Sequence, residues 1–455
     1  MAVETERIPA RRRRLGGRLA VLGERDFRWF FVGYTTSLLG SSMAPVAVAF
    51  AVLEGGGSGT DLGWVMAARI LPIVLVLLAG GVIADRLGSR WVMLGSDVLR
   101  GVVQAAFAVV LVAGRAPVWA MVVLVAVWGV GEGLFTPALG ALVPDLVRRK
   151  ELLSDANTLL GLARSVATVA GPAAAGVVTA VQGPAAVLLV DAVTYGIGGF
   201  ALARLRLPGR VAVEGPSGSL LGDLRDGWAE FGSRPWLWIT TAHMGLFNLL
   251  VWAPFLVLGP LTAQRSLGGA RGWGLVMGVY GVGAVLAGML MLGRRPGRPL
   301  AVATVATLGW ALPSGALAVG ASLPWVAAAA VVAGAGSAVC GTLYSTTMQS
   351  WVPPGVLARV ASFGSLGAFV LGPAGLAAAG PIASRAGVPA VLLFGALWQI
   401  VAGILVLAVP AVRRRRWEQG GAVGGERGAA ESEHAMGGER GAEGERAAEE
   451  PAEVP

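Results

Sequence analysis

Long apolar stretches separated by short polar breaks run from about Phe27 to Pro410. A helix needs roughly 20 mostly apolar residues to cross the hydrocarbon core of a bilayer. Twelve stretches meet that length, at 27–53, 62–84, 91–113, 117–142, 155–182, 184–204, 237–262, 270–292, 299–320, 323–349, 357–383 and 387–411. The pattern predicts an all-α integral membrane protein of twelve transmembrane helices. Its longest internal break divides the chain into a basic N-terminal segment 1–26, a six-helix bundle 27–204, a central loop 205–236, a second six-helix bundle 237–411 and a tail 412–455. Trp228, Phe231, Trp236 and Trp238 predict that part of the central loop lies on the membrane surface.

Composition agrees with the pattern. The chain is 55% hydrophobic and 14% charged, where soluble domains are about a quarter charged. Its 69 glycines and 25 prolines would weaken soluble helices, but membrane helices tolerate both and use small residues to pack closely. The net charge of +9 reads as topology rather than nucleic-acid binding, because the arginines alternate between faces. One set of loops holds Arg7 to Arg18, Arg86 with Arg90, Arg148 to Lys150, Arg204 to Arg234, Arg294 to Arg298, Arg359, and Arg413 to Arg416; the other holds Arg115, Arg265, Arg271 and Arg385. The positive-inside rule then places both termini in the cytoplasm. Arg11 to Arg14 precede a long apolar run without a small-residue cleavage site, which favours a retained first helix over a signal peptide.

Several chemistries are poorly supplied. The single cysteine, Cys340, allows neither an intramolecular disulfide nor a cysteine-rich metal site, and its expected role is packing. The single lysine, Lys150, lacks the glycine spacing of a phosphate loop, so ATP hydrolysis is not expected. With two histidines, His243 and His434, an enzyme would have little material for a nucleophile, base or metal site. A signalling receptor would want a substantial soluble domain. No cofactor or metal is expected.

A duplication is visible. Asp85-Arg86-Leu87-Gly88 and Arg294-Arg295-Pro296-Gly297 lie about 209 residues apart, as do Pro144 and Pro353, and Gly171-Pro172 precedes Gly372-Pro373 by about 201. Their shared order favours two repeated halves. After Trp417 the chain turns to Gly, Ala, Glu and Arg, with Gly-Gly-Glu-Arg-Gly-Ala at 424–429 and again at 437–442; this composition predicts a disordered, solvated tail.

The turn Gly81-Val-Ile-Ala-Asp85-Arg86-Leu-Gly88-Ser-Arg90 resembles the signature loop between helices two and three of the major facilitator superfamily. The resemblance implies a conformational latch formed by Gly81, Asp85, Arg86, Gly88 and Arg90. Chemically, glycine permits the tight turn, while a carboxylate and guanidiniums pair with each other or with a helix end. Ser89 departs from the usual basic residue, and the second-half copy lacks the acid. Phe135-Thr-Pro137-Ala138, Val143-Pro144-Asp145-Leu146-Val147, Leu153, Ala156-Asn157, Ala68-Arg69 with Pro72, and Arg359-Val360-Ala361-Ser362 resemble the drug-exporter branch that contains macrolide and enterobactin exporters. Gly171-Pro172 with Gly176 is similar to the fifth-helix motif of antiporters in that superfamily; a plain packing glycine and kink accounts for it equally well.

An ionisable group at membrane depth is costly and therefore a functional candidate. Glu132, flanked by Gly129, Gly131 and Gly133, and Arg164 lie near mid-span and are candidates to pair, which the sequence leaves open; Arg69 and Asp191 lie nearer the outer side; Asp97 and Arg100, one turn apart, are candidates to serve the latch. Glu132 is read either as a proton-coupling carboxylate or as half of a static ion pair. His243, Asn248 and Trp252 are candidate cavity residues, with packing as the alternative for each. Together these readings predict two bundles enclosing a central cavity. They predict a secondary transporter, not an enzyme, that moves a small hydrophobic or amphipathic compound by alternating access. The resemblance implies efflux from a bacterial cell by a monomer, driven by a proton gradient; import of a nutrient is the alternative. Membrane lipid and the small-molecule substrate are the expected partners.

Overall fold

The computed structural model describes residues 20–206 and 228–416, apart from Arg115, Arg148, Lys150, Glu151, Glu230 and Gly293. The side chains of 77–82, 84–86, 154, 354, 355, 358, 359 and 362 also lie outside the description. Expectations for 1–19, most of the central loop, the tail, and the side chains of Asp85 and Arg86 therefore fall outside the described residues.

Six helices form the first half: α1 (Arg25–Glu54), α2 (Gly59–Leu87), α3 (Ser89–Val112), α4 (Val118–Leu146), α5 (Leu153–Gln182) and α6 (Pro184–Ala203). The second half is less regular. Its first span joins α7 (Pro235–Phe247) to α8 (Ala253–Ser266) through a π-helical turn at Asn248–Trp252. Next come α9 (Gly269–Met291), a span made of α10 (Pro299–Thr307) and α11 (Ala311–Ala318), and α12 (Leu323–Trp351). The eleventh span breaks between α13 (Pro354–Phe369) and α14 (Gly372–Ala386), and α15 (Val388–Ala408) completes the bundle. Among the described residues, twelve helical segments are long and apolar enough to cross a membrane, and large apolar side chains such as Leu75, Val109, Leu286 and Leu405 are exposed on them. Such a surface requires an apolar solvent. Twelve crossings bring Arg25, at the start of α1, and Ala408, at the end of α15, to one face, the termini face.

The α2–α3 turn is a single residue, Gly88, at φ +86°, a left-handed conformation that costs a side-chain-bearing residue about 1–2 kcal/mol. Arg90 follows it and donates from Nε to the carbonyl of Leu202 at 3.0 Å and from Nη2 to that of Ala203 at 2.8 Å. These are terminal carbonyls of α6, left without intrahelical donors, so the guanidinium caps a neighbouring helix end.

Packing follows the repeat. The first half meets the second along two seams: α5 on α9, and, six spans on, α14 on α2. Both are lined by glycine near the face opposite the termini. A methyl added to Gly176 would lie 2.6 Å from the Ala270 carbonyl oxygen and 2.9 Å from Gly274 Cα, while Gly380 abuts the backbone of Gly59 and Thr60. The paired dipeptides are not equivalent, since α5 runs unbroken through Gly171-Pro172 whereas Gly372-Pro373 starts α14 after the break.

The central-loop aromatics divide. Trp228 and Trp238 are exposed, but Trp236 and Phe231 are buried, contrary to a surface location for all four. Trp236 meets Trp351 edge-on at 5.5 Å and Phe231 lies 6.3 Å from Phe363. Tertiary packing of the amphipathic ring outweighs the membrane surface here.

Candidate functional site

Glu132 does not pair with Arg164. Arg69 holds it instead, with Nε 3.0 Å from one carboxylate oxygen and Nη2 3.1 Å from the other. The reason is packing order: α4 lies along α2 and α3, whereas α5 lies along α1 and α9. Glycines make the approach possible. A Cβ on Gly129 would strike the Arg69 carbonyl, and one on Gly133 would lie 3.2 Å from Ile73 Cα. Small residues four apart thus bring two backbones together, and Glu132 emerges beside the contact. Arg164 is exposed on α5 and donates to Tyr34 Oη at 3.3 Å.

From this pair a network crosses the first half. The Arg69 guanidinium lies 4.1 Å from the Trp128 ring centroid. Trp128 Nε1 donates to Tyr195 Oη at 3.0 Å, and Ser41 Oγ donates to the same oxygen at 2.8 Å. Arg100 is stacked between Phe135 at 4.3 Å and Tyr195 at 4.4 Å, and it pairs with Asp97. Asp191 is fully buried, accepting from Gln104 Nε2 at 2.8 Å and lying against Thr194. Asp97 and Arg100, expected to serve the latch, have their described partners inside the bundle. Asp97 lies nine residues past Gly88, roughly 13 Å along a helix rising 1.5 Å per residue, and the partners of the pair are rings of α4 and α6. Their charge is neutralised and ring-stacked inside the bundle, as buried charge requires.

The fifth-helix motif lies at the seam between the halves. Gly176 packs on Gly274 of α9, and Gly171 on Ser42 of α1.

The second half has a different character. A cavity of about 730 Å³ is lined by α7, α10, α12 and α13, the size of a drug-sized ligand site. It runs from Leu300, Met348 and Leu357 near the termini face to Phe247 and Trp310 at mid-depth. None of the described lining residues is charged. His243 lines it, is 8% exposed, and has no partner at either ring nitrogen. Cys340 lines it too, which a packing role did not anticipate. Asn248 and Trp252 do not line it. Asn248 bridges the carbonyls of Met244 at 3.0 Å and Ala368 at 3.1 Å, and Trp252 meets Trp310 edge-on at 4.9 Å. Trp310 also contacts Phe247, Phe255 and Tyr280, and of these rings Phe247 and Trp310 line the cavity. All the described lining side chains belong to the second half, whereas the cavity was expected between the two bundles. One unused sequence signal anticipates the contrast: no Asp or Glu occurs between Glu230 and Glu418.

Two bundles exchanging equivalent seams, α5 on α9 and α14 on α2, are the architecture of a transporter of the major facilitator type rather than of an enzyme. Residues 16–421 match the family described as transmembrane secretion effector, and the chain belongs to that family. Macrolide efflux protein A of Streptococcus pyogenes is 24% identical over 270 residues, 59% of this chain and 66% of that protein, so the chain spans just under two thirds of this relative's length. Multidrug efflux pump Tap of Mycobacterium tuberculosis (strain ATCC 25618 / H37Rv) is 28% identical over 387 residues, 82% of this chain and 91% of that protein. Among solved structures, nucleoside transporter NupG superposes with a TM-score of 0.70 at 13% identity, covering 84% of this chain and 99% of that one. A peptide transporter POT in complex with alafosfalin gives 0.67 at 13% identity, covering 88% and 98%. These likenesses establish the fold, and the protein is a multi-pass membrane transporter.

Proposed function

We propose that this protein exports a small hydrophobic or amphipathic compound across the bacterial cytoplasmic membrane as a monomer, in exchange for protons and by alternating access. The observation that carries the coupling is the bidentate Arg69–Glu132 pair, whose side chains are 19% and 32% exposed. Glu132 is open enough to exchange a proton and close enough to a cation to register the change. Protonation removes both charge-assisted hydrogen bonds and leaves Arg69 with the Trp128 face. Trp128 passes the change through Tyr195 to Ser41 of α1 and the Arg100 stack, reaching helices that border the seams.

Direction rests on the similarity to efflux proteins and on the arginine alternation, which puts the termini face in the cytoplasm. With that orientation the cavity lies on the cytoplasmic side and the glycine seams close the outer side, the posture in which an exporter loads. Everted vesicles acidified by respiration test the proposal. Addition of a transported compound releases protons from vesicles carrying the wild-type protein, while Glu132→Gln vesicles release none above background. Proton-driven transport by Glu132→Gln overturns the coupling role, and greater cellular accumulation of the compound when the protein is present overturns efflux.

A further inference from the structure

We infer that the second-half cavity is the recognition site for an uncharged, oxygen-bearing amphipathic molecule, with His243 as its principal hydrogen-bonding anchor; this rests on the transport reading above. Charge is the first argument. No carboxylate exists between Glu230 and Glu418, so a permanent cation finds no counter-charge from this half, and none of the described lining side chains is charged. Desolvating an unpaired charge is far costlier than burying a neutral polar group.

The lining hydroxyls supply the second argument. Thr240 donates to the Trp236 carbonyl at 2.8 Å, Thr304 to that of Leu300 at 2.9 Å, and Thr307 to that of Thr304 at 2.7 Å. Their hydrogens are spent on their own helices; Thr307 Oγ1 already accepts from Gln399 Nε2 at 3.0 Å, which leaves the oxygens of Thr240 and Thr304 to accept. Ser337 accepts from Trp310 Nε1 at 2.8 Å.

His243 differs from these, being more than nine-tenths buried, bordered by the cavity, and unpartnered at both nitrogens. A neutral imidazole offers one N–H donor and one acceptor, and a buried polar group without a partner is destabilising until one arrives. A carbonyl, ether or hydroxyl oxygen on the ligand satisfies the donor. The apolar remainder, Met244, Phe247, Leu300, Met348 and Trp310, covers the ligand's hydrocarbon surface.

Cys340, the only cysteine, lines the same cavity from α12 and provides the test. Full-length protein in nanodiscs is treated with methyl methanethiosulfonate, and modification is followed by intact mass with chloramphenicol or progesterone as neutral probes and tetraphenylphosphonium as a cationic one. Protection of at least five-fold by a neutral probe and none by the cation is expected. His243→Leu raises the protecting concentration at least ten-fold, and His243→Gln, which keeps a donor and an acceptor, recovers most of the loss. Protection by the cation alone, protection by none of the three, or unaltered protection in a folded His243→Leu protein overturns the inference. If Cys340 resists the reagent, binding of tritiated chloramphenicol and its displacement by progesterone or tetraphenylphosphonium apply the same criteria. Protection without transport of any probe by the same protein reconstituted in sealed proteoliposomes refutes the transport reading and leaves the cavity's chemistry standing. Transport without protection at Cys340 refutes the inference alone.

Discussion

Replacing Gly176 with valine drives a Cβ to 2.6 Å from the Ala270 carbonyl oxygen and 2.9 Å from Gly274 Cα. Both obstacles are backbone, so no rotamer change relieves the clash, and α5 must separate from α9. Overpacking of this kind costs about 1–3 kcal/mol, and every 1.4 kcal/mol is a factor of ten in an equilibrium. The penalty falls only on the conformation in which the seam is closed. The population open at the opposite face therefore rises by a factor of about 5–150. A reporter remote from the substitution reads this rise: Leu376→Cys, buried in the α2–α14 seam, in a Cys340→Ala background. If the halves rock as bodies, Gly176→Val accelerates maleimide labelling at position 376 by that factor. Labelling within two-fold of the parent, in a protein that elutes and melts as a folded monomer, refutes the idea that this seam holds the closed state.

Three further outcomes follow from the geometry. Arg69→Leu strips Glu132 of its partner; because Glu132 is about a third exposed, the cost falls below the 3–5 kcal/mol of a fully buried pair, at about 1–3 kcal/mol, and a Glu132→Gln partner substitution recovers at least half of it in thermal unfolding. Arg100→Leu abandons a carboxylate that is almost wholly buried, so the full 3–5 kcal/mol applies; membrane yield of the folded protein falls sharply, and adding Asp97→Asn restores part of it. Asn248→Ala leaves the Ala368 carbonyl unpaired, a loss of about 1–3 kcal/mol; hydrogen exchange near 363–372 accelerates while exchange in α3 and α6 is unchanged.

The spans were legible because a bilayer imposes length and apolarity together. Pro184, Pro235, Pro299 and Pro354 each stand at a helix start, where their missing donor is harmless. Pairing was less legible. Arg164 and Glu132 lie on consecutive spans at similar depth, yet α2 takes the place beside α4, and nothing local to either residue reports that. The same limit hid the Trp128–Tyr195 link and the Gln104 donor to Asp191, which join helices far apart in the chain. Gly372-Pro373 marked a special position, but whether the dipeptide breaks a span or passes through it depends on the packing around it, as the unbroken α5 demonstrates. The cavity's identity needed both sources. The acid-free stretch is plain in the sequence, and it acquired meaning once His243 and the lining hydroxyls were found around one cavity.

That acid-free half bears on energetics as well as recognition. Exchanging one entering proton for one departing uncharged molecule moves a net positive charge inward with every cycle. Such an exchange is electrogenic, and the membrane voltage contributes about 2.3 kcal/mol per charge at 100 mV in addition to the pH difference. Efflux on this scheme continues when the pH gradient is collapsed and the voltage remains.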